Sequence, residues 1–590
     1  MSQERLEALQ QGLSEQQLQG FLVPRCDEYQ NEYVPAADER LAWLTGFTGS
    51  AGLAAVTNSR SALFVDGRYT IQAKQQIGNQ PIEQQSLAPA DVANWLCDAM
   101  REGDTLGYDP RLHTQPGLAP LKKRLDECGI KLQAVDINPV DSVWSDRPAP
   151  PSGAAHPHPQ TFTGEGSASK RQRIGKILGE KNQQALWLAN PEVCAWLFNI
   201  RGSDIPHLPV ALSMGFLYAD GSATLYLAKS AIGDALRQHL GNDVEIVSDK
   251  AALFAAAERQ HVQRVWADPL LTNCWTLQEL RNREIQILLE RDPITVAKAR
   301  KNTVELEGSR AAHVRDGAAL CEFLAELPEA VKQENFGELE AVNLLRSKRE
   351  LREGFTDDSF DSISGYGGNG AIVHYRVTPE SSLPMREEGI YLIDSGGQYP
   401  DGTTDVTRTI ALGSFPGEAK EHFTRVLKGH IAIASLRFPE GTCGEQIDAF
   451  ARQSLWSVGL DYAHGTGHGV GSFLSVHEGP QRIGKANTNV PLEAGMIVSN
   501  EPGFYRTDEY GIRIENLIFV KSSDQYPGFL EFEALTLAPI ERQLIEPSLL
   551  TDSELEWLNG YHAQVRETLS PLVNDHTRSW LEAATRPIAR

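Results

Sequence analysis

The chain has 590 residues, which is too long for one ordinary hydrophobic core and predicts about three domains. Its 78 acidic residues outnumber its 55 basic ones, and the net charge of −23 argues against a phosphate-backbone partner, so nucleic-acid binding is excluded. No run of about 18 apolar residues occurs, and the polar N-terminal stretch lacks the apolar centre of a signal peptide. We therefore expect neither a membrane span nor secretion.

Residues 20 to about 145 alternate strand-like and helical runs. Residues 53–56 and 62–65 are apolar and strand-like, whereas 91–100 and 118–127 have helical spacing, and this alternation predicts an α/β domain. The next stretch, 147–166, is rich in Pro, Gly and Ser without hydrophobic periodicity and predicts a linker or surface loop. We interpret its two histidines, His156 and His158, as loop composition rather than metal ligands.

The following part, about residues 168 to 290, repeats features of the first. An Ala-Trp-Leu string followed by Gly-Ser occurs around Trp43 and again around Trp196. Each is followed by a strand, a turn and a second strand, with turn residues at 58–60 and 220–222. We interpret the two parts as related α/β domains that arose by duplication, and a chance match of short strings is the alternative.

Helical patterns become longer in the last part of the chain. They cover residues 297–326, 418–438 and 445–456, with strand pairs between them that predict an α+β domain. Two more helical stretches, 553–569 and 577–584, form a C-terminal extension. Its Trp557, Leu558 and Trp580 are available for packing.

Seven cysteines are scattered along the chain without the close spacing of metal-binding or redox motifs. Their odd number and wide separation are typical of a reducing compartment, so we expect free, buried thiols and a cytoplasmic protein. The seven are Cys26, Cys97, Cys128, Cys194, Cys274, Cys321 and Cys443.

Residues 391–407 carry two carboxylates within a predicted β-hairpin. Asp394 occupies the apolar face of the first strand, residues 400–402 supply the turn, and Asp405 precedes the return strand over 406–412. Either Asp alone is more often a turn or surface carboxylate. An acid on an apolar face nevertheless indicates a function once further acids and histidines follow.

Two histidines and two glutamates follow in Gly-rich or apolar segments. His464 and His468 have the spacing of a helical zinc motif, but glycines at 465, 467 and 469 disfavour a helix, so we reject that template. Glu501 follows an apolar run. Glu515 lies beside Arg513 in an alternating strand, where an exposed ion pair would contribute little to stability.

Two Asp, one His and two Glu form an oxygen-rich ligand set. Its four negative charges would neutralise two divalent cations, and hard oxygen ligands with one imidazole favour manganese, while zinc, iron and cobalt are also compatible. The candidates at this point are Asp394, Asp405, Glu501 and Glu515 with one of the two histidines, His464 or His468.

These residues and the segments around them resemble the pita-bread metallopeptidases, in particular the Xaa-Pro aminopeptidase (aminopeptidase P) family. The resemblance also includes residues 301–313, 362–375 and the Val-His-Glu-Gly-Pro run at 476–480, and it covers nearly the whole chain. It implies α/β and α+β domains: two related N-terminal creatinase-like domains, then a pita-bread catalytic domain with a helical C-terminal extension. The implied division is 1–146, a linker over 147–167, 168–292, 293–540 and 541–590.

The resemblance implies a metallo-aminopeptidase that hydrolyses the N-terminal Xaa-Pro bond through a hydroxide bridging two metal ions. It implies that Asp394 holds one ion, that His468 and Glu501 hold the other, and that Asp405 and Glu515 bridge the two. It also implies that Glu501 acts as general base.

The resemblance assigns further roles on the substrate side. His374, His464 and His477 match histidines that bind the peptide and stabilise the oxyanion, and Arg513 matches a residue that orients Glu515. The expected partners are peptides with proline in second position and a second copy of the chain.

Three alternatives stay open. A dipeptidase specific for Xaa-Pro (prolidase) shares every motif named above, although the additional N-terminal domain favours the aminopeptidase layout. A binding protein of the same fold without catalysis and a metal-free creatinase-like amidinohydrolase are disfavoured, because the four carboxylates are retained.

Overall fold

The computed structural model describes residues 2–589. The chain forms two compact units: residues 2–159 with 165–295, and residues 160–164 with 296–589. Among the described residues, no helix is both long and apolar enough to cross a membrane.

The first unit begins with a six-stranded mixed sheet. β1 lies near its centre, pairs antiparallel with β2 and parallel with β5, and the strand order is β4-β3-β2-β1-β5-β6. The strands are β1 (Gly20–Pro24), β2 (Leu53–Thr57), β3 (Ser61–Val65), β4 (Glu83–Ser86), β5 (Thr105–Tyr108) and β6 (Lys131–Ala134). The helices are α1 (Ser2–Glu15), α2 (Arg40–Thr45), α3 (Thr70–Ile77), α4 (Pro89–Ala99), α5 (Gln115–Glu127) and α6 (Pro139–Val143).

The Pro-rich stretch after α6 contains regular structure. β7 (His156–Pro157) pairs antiparallel with residues 200–201, and the short helix α7 (Gln160–Thr163) follows. Because His156 takes part in this pairing, the stretch is ordered by the segment it pairs with, although its own sequence shows no period.

The second half of the first unit repeats the first sheet. Its strands are β8 (Ala185–Leu188), β9 (Ile200–Arg201), β10 (Ser213–Tyr218), β11 (Ala223–Leu227), β12 (Val244–Val247), β13 (Arg264–Ala267) and β14 (Gln286–Leu289). Its helices are α8 (Ser167–Glu180), α9 (Pro191–Phe198), α10 (Asp234–Leu240), α11 (Lys250–Arg259) and α12 (Cys274–Asn282). The strand order β12-β11-β10-β8-β13-β14 matches that of the first sheet position by position, with the same parallel and antiparallel pairs. The shared topology supports the predicted duplication.

The second unit combines helices with small antiparallel sheets. Its helices are α13 (Pro293–Ala299), which crosses the boundary between the units, α14 (Thr303–Ala330), α15 (Glu338–Glu350), α16 (Ala419–Ala434), α17 (Gly444–Trp456), α18 (Asp552–Leu569) and α19 (Asp575–Ala584). Its strands are β15 (Asp357–Asp358), β16 (Ile363–Tyr366), β17 (Ile390–Ser395), β18 (Gly397–Tyr399), β19 (Gly402–Thr403), β20 (Val406–Ala411), β21 (Arg437–Pro439), β22 (Gly467–Gly469), β23 (Glu478–Ile483), β24 (Ile497–Asn500), β25 (Gly503–Arg506), β26 (Tyr510–Arg513), β27 (Asn516–Ser522) and β28 (Phe529–Ala534).

Two of these sheets carry the predicted site residues. One has the strand order β16-β17-β20, and the other has the order β21-β28-β27-β24-β22-β23. The predicted hairpin is present as β17 and β20, with β18 and β19 between them.

The C-terminal helices belong to the core of the second unit. Leu558 and Val565 of α18 are fully buried in one apolar cluster with Phe423 and Leu427 of α16. Trp557 packs against this cluster and stacks on Tyr561, one helical turn away, at a ring distance of 5.4 Å. The extension therefore stabilises the second unit by apolar burial.

Two helix predictions were wrong at one end. The helix expected from residue 297 is interrupted, because the Asn302 side chain accepts a hydrogen bond from the Glu305 N–H (3.1 Å) and starts α14 as a capping box. The helix expected to reach residue 438 ends at Ala434, since Phe438 pairs with Leu530 as part of β21 and is buried there.

The expectation of seven free thiols was also wrong. Cys97 at the end of α4 and Cys128 after α5 form a disulfide, because these packed helices bring their Cα atoms to 6.0 Å, within disulfide range. The other five cysteines are free. Burial raises the pKa of the Cys194 and Cys321 thiols to about 12, so neither is a reactive thiolate at neutral pH.

Candidate metal centre

The β17–β20 hairpin places the two aspartates. Asp394 is the fifth residue of β17 and pairs with Thr407, while Asp405 immediately precedes β20. Both side chains are buried. A carboxylate on this strand face therefore points into the protein, as its place in the apolar pattern predicts.

Three adjacent strands of the larger sheet place the other members of the ligand set. His468 is the central residue of β22, Glu501 follows β24, and Glu515 precedes β27. Asn500 pairs with Asn516 across β24 and β27, so the two glutamates adjoin the same end of that strand pair. A Cβ at Gly467 would lie 1.9 Å from the Ser499 carbonyl oxygen. The close approach of β22 to β24 therefore requires glycine at position 467, next to His468.

The ligand atoms converge. Asp405, His468 and Glu515 each offer one such atom, and all three lie within 4.8 Å of one another. His468 Nε2 is 3.5 Å from Asp405 Oδ2 and 3.5 Å from Glu501 Oε1. His468 Nδ1 lies 2.9 Å from the Gly469 carbonyl oxygen, to which it donates, and this leaves the Nε2 lone pair facing the carboxylates, as in a metal-bound imidazole.

Asp394 is joined to this group through Arg513. The Arg513 Nη2 atom donates to Asp394 Oδ2 at 2.6 Å, and its Nε atom donates to Thr407 Oγ1 at 3.1 Å. The Thr407 hydroxyl in turn donates to Glu515 Oε2 at 2.8 Å. Arg513 thus holds Asp394 directly and Glu515 through the Thr407 hydroxyl.

The charge of this group is poorly compensated by protein. Burial, and then the neighbouring carboxylates Glu515, Asp394 and Glu501, raise the pKa of Asp405 well above its usual value. Burial, and then Asp394 and Glu501, raise the pKa of Glu515 in the same way. Arg513 is the cation that partly offsets both shifts.

Three carboxylate oxygens of the ligand set are candidates for contact with a metal ion. Asp394 Oδ1, Asp405 Oδ1 and Glu515 Oε1 are buried and accept no hydrogen bond from any residue between 2 and 589. Buried acceptors without a donor are costly, and divalent cations satisfy such oxygens. The donor set therefore fits a metal centre.

The histidines predicted to bind the peptide are His374, His464 and His477. The His477 ring is 4.3 Å from the His468 ring, centroid to centroid, and His374 lies between Val373, whose carbonyl accepts from Arg513 Nη1 at 3.3 Å, and Tyr375. Arg513 Nη1 also donates to the Tyr505 hydroxyl oxygen at 2.7 Å, so the hydroxyl proton is directed to His464 Nε2 at 2.8 Å.

His464 therefore has a defined tautomer. Its Nε2 atom accepts from Tyr505, and its Nδ1 atom donates to the Gly465 carbonyl at 2.7 Å. Both ring nitrogens are thus engaged within the protein, and the ring also packs against the Tyr462 ring at 4.8 Å, centroid to centroid.

Sequence reasoning missed two residues that hold the site together. Thr407 positions Glu515, and Tyr505 links His464 to Arg513. A period-two reading of β20 would have placed Thr407 on the same face as Asp405, and Tyr505 follows Glu501 closely in the chain. Glu515 is 108 residues from Thr407 and His464 is 41 residues from Tyr505, and no local pattern reveals such pairs.

Patterns that describe known families match the chain in four segments. The Creatinase/Prolidase N-terminal domain is matched by residues 5–142 and again by 146–305. Metallopeptidase family M24 is matched by residues 307–522, and the C-terminal region of peptidase M24 by 528–588.

Individual proteins match over the full length. The chain is 41% identical to a probable Xaa-Pro aminopeptidase P of Aspergillus clavatus, over 100% of this chain and 93% of that one. It is 38% identical to Aminopeptidase P2 of Arabidopsis thaliana, over 97% and 86%.

Two solved structures match the chain to different extents. X-prolyl aminopeptidase from Caenorhabditis elegans, described as a cytosolic enzyme with a di-nuclear active site, matches with a TM-score of 0.94 and 33% identity over 100% of both chains. Xaa-Pro dipeptidase from Bacillus anthracis matches with a TM-score of 0.53 and 22% identity over 64% of this chain and 99% of that one, which shows a shared fold only.

Proposed function

The chain belongs to metallopeptidase family M24, with the Xaa-Pro aminopeptidase P proteins that it matches from end to end, and from this premise we propose that it removes the first residue of peptides whose second residue is proline. The observation that carries the proposal is the convergence of Asp405, His468 and Glu515 on one point in a chain of this family. The sequence-based expectations of fold and enzyme class are thereby confirmed.

We assign two divalent cations to the centre, held by the five residues of the ligand set. When bound, such cations lower the pKa of a water molecule and polarise the scissile carbonyl. The metal we propose is manganese, because four carboxylates and one imidazole form a hard, oxygen-rich set. Support comes from the three buried oxygens that accept no hydrogen bond from the described residues.

We propose that Glu501 acts as the general base. It accepts the proton of the attacking water and delivers it to the prolyl nitrogen of the leaving peptide. The Ser499 hydroxyl donates to Glu501 Oε1 at 3.0 Å and orients the carboxylate for this transfer.

We assign the histidines to the peptide. His374 and His477 hydrogen-bond the substrate and stabilise the developing oxyanion. We assign His464 to the same peptide-binding side, where the Tyr505 hydroxyl holds its ring in place. Arg513 orients Asp394 through the 2.6 Å contact.

Proline recognition depends on shape. The prolyl nitrogen carries no N–H, so the enzyme selects the ring and the backbone geometry that proline imposes. A dipeptidase must in addition bind the carboxylate directly after proline, whereas an aminopeptidase leaves that side open. The X-prolyl aminopeptidase of Caenorhabditis elegans matches over 100% of both chains, and this supports the longer aminopeptidase layout.

The experiment is a comparison of kcat/KM for three peptides on metal-loaded protein. Arg-Pro-Pro should be cleaved at the first bond, the dipeptide Arg-Pro should be much poorer, and Arg-Ala-Pro should be resistant. A preference for Arg-Pro would make the protein a dipeptidase. Equal cleavage of Arg-Ala-Pro would remove the proline specificity.

Two further assignments are proposals of the same kind. We propose a homodimer, for which light scattering should return twice the chain mass of 65.0 kDa. We propose a cytoplasmic location on the strength of the cytosolic solved relative, although the Cys97–Cys128 disulfide is unusual there. Cell fractionation, with mass spectrometry of alkylated thiols, tests both the location and the disulfide.

The domain boundaries also stay a proposal. The two repeated sheets support separate domains over 1–146 and 168–292, with 147–167 between them. The M24 pattern at 307–522 lies within the proposed catalytic domain, 293–540, and the C-terminal pattern at 528–588 covers most of the proposed extension, 541–590. Limited proteolysis that cuts first near these boundaries would support the division, and early cuts inside the sheets would contradict it.

A further inference from the structure

A buried carboxylate outside the metal centre is bound by a single loop. Glu338, the first residue of α15, is fully buried. Its Oε1 atom accepts from the Tyr366 N–H at 2.6 Å, and its Oε2 atom accepts from the Leu383 N–H at 2.9 Å. The Asn369 amide lies 3.1 and 3.0 Å from the two oxygens, and the Tyr375 hydroxyl lies 3.0 Å from Oε2.

All these donors belong to residues 366–383, and all are neutral. Burial raises the pKa of Glu338, and the hydrogen bonds of the loop oppose that rise. A carboxylate has about four acceptor positions and no donor, so it matches four converging donors better than any neutral side chain. Glu338 therefore organises both ends and the middle of one loop.

The same loop carries His374, and its two neighbours are held from opposite sides. The Val373 carbonyl accepts from Arg513, the arginine that holds Asp394 of the ligand set. The Tyr375 hydroxyl contacts Glu338. His374 thus lies between a contact to the metal centre and a contact to the buried glutamate.

The loop backbone also rests on the strand of Arg513. A Cβ at Gly511 would lie 1.7 Å from the Gly370 carbonyl oxygen, so the loop and β26 touch where neither has a side chain. The backbone carbonyl of Glu338 itself accepts from the Ser364 hydroxyl at 2.7 Å, which ties α15 to β16, the strand beside β17. A displacement of the loop would therefore move His374 relative to Asp394.

We propose that Glu338 is a positioning residue for the reaction, which holds the loop over residues 366–383 so that His374 meets the scissile peptide bond. The inference rests on the proposed function, because it takes the role of His374 from there. Glu338 itself touches neither substrate nor metal ligand. Its effect on turnover passes through the loop.

The test variant is Glu338→Gln, which keeps the shape but turns one acceptor into a donor that faces other donors. Hydrogen exchange should become faster in peptides from 366–383 while the bound metal per chain stays unchanged. A misplacement of about 1 Å costs on the order of 100-fold in turnover, so kcat for Arg-Pro-Pro should fall by about that factor.

The matched control is Glu305→Gln. Glu305 is likewise a buried glutamate at a helix start, and it accepts from the Asn302 N–H at 3.0 Å, away from the His374 loop. This variant should keep wild-type kcat and wild-type exchange in 366–383. If both variants lost activity in proportion to their loss of folded protein, the role of Glu338 would be structural only.

A double-mutant cycle with His374→Ala separates positioning from general damage. If Glu338 acts through His374, the double variant should have a kcat within about threefold of His374→Ala alone, because the coupled effects do not add. Additive losses would overturn the proposal, and so would unchanged exchange in 366–383.

A second variant and a readout that does not depend on activity allow the proposal on Glu338 to be tested in every case. Should Glu338→Gln fail to fold, Tyr375→Phe removes one donor and should shift exchange and kcat in the same direction by a smaller factor. The exchange experiment requires no hydrolysis. Failure of the wild-type enzyme to cleave Xaa-Pro peptides would refute the proposed function, while the exchange result would still decide whether Glu338 holds the loop.

Discussion

Replacement of Thr407 by valine should weaken the metal centre without altering the fold. Thr407 is fully buried, and valine has nearly the same shape. The change removes the hydroxyl that donates to Glu515 Oε2 at 2.8 Å and accepts from Arg513 Nε at 3.1 Å. Glu515 would then lose its orienting donor, and the guanidinium would lose one acceptor.

The magnitude follows from the charge of the partners. A hydrogen bond to a charged group contributes about 1.5–3 kcal/mol. Since about 1.36 kcal/mol corresponds to a factor of ten, the loss converts to roughly 10- to 160-fold. Substitutions behind metal ligands in other proteins fall in the same range, about 10–100-fold in metal affinity or activity.

The assay is titration of metal-stripped protein with Mn²⁺, followed by calorimetry and by hydrolysis of Arg-Pro-Pro. Thr407→Ser should stay close to wild type because it keeps the hydroxyl. Thr424→Val is the control for the loss of a buried hydroxyl, since Thr424 is also fully buried and, among residues 2–589, its hydroxyl bonds only the Lys420 carbonyl and the Glu546 N–H. This control should lower the melting temperature but leave Mn²⁺ affinity unchanged.

Wild-type Mn²⁺ affinity in Thr407→Val would refute the reasoning. So would an equal loss of affinity in Thr424→Val, because the effect would then come from general destabilisation. Both outcomes are readable without activity, since calorimetry reports binding directly.

Four other changes have defined outcomes. Chelator dialysis should abolish hydrolysis with Mn²⁺ restoring it best, and full activity of metal-free protein would contradict this. Asp405→Ala should be folded but nearly inactive, and wild-type turnover in that variant would contradict its role as a metal ligand. Arg513→Lys should lower kcat/KM about 10–100-fold, because one ammonium cannot replace the fork that holds Asp394, and unchanged kinetics would show that the contact is dispensable. Burial raises the pKa of Asp27 from 3.8 to about 7, so between these two pH values the folded protein binds a proton that the unfolded chain does not. The free energy of unfolding therefore falls by up to about 4 kcal/mol as the pH rises from about 4 through 7. Asp27→Asn should therefore gain stability relative to wild type between pH 4.5 and pH 7.5, and a difference in melting temperature that does not change with pH would contradict this assignment.

Local pattern alone determined most of the elements, whereas the choice of ligands, His468 rather than His464 in particular, also needed the family resemblance. The β17–β20 hairpin follows from period-two alternation with turn residues between, and α18 follows from helical spacing that places Leu558 and Val565 on one face. The start of α14 at residue 303 could also have been predicted from the sequence, because Asn302 and Glu305 form a capping box within four residues. Residue types at fixed local spacing are sufficient for such features.

Tertiary structure alone decided which distant groups meet. Thr407 and Glu515 are 108 residues apart in the chain, and Glu338 and Leu383 are 45 apart, yet each pair shares a hydrogen bond. The Cys97–Cys128 disulfide likewise depends on how α4 packs against α5. Sequence periodicity gives the face of an element on which a side chain lies, but the partner across that face is set by the packing of whole elements, whose contacts are non-local.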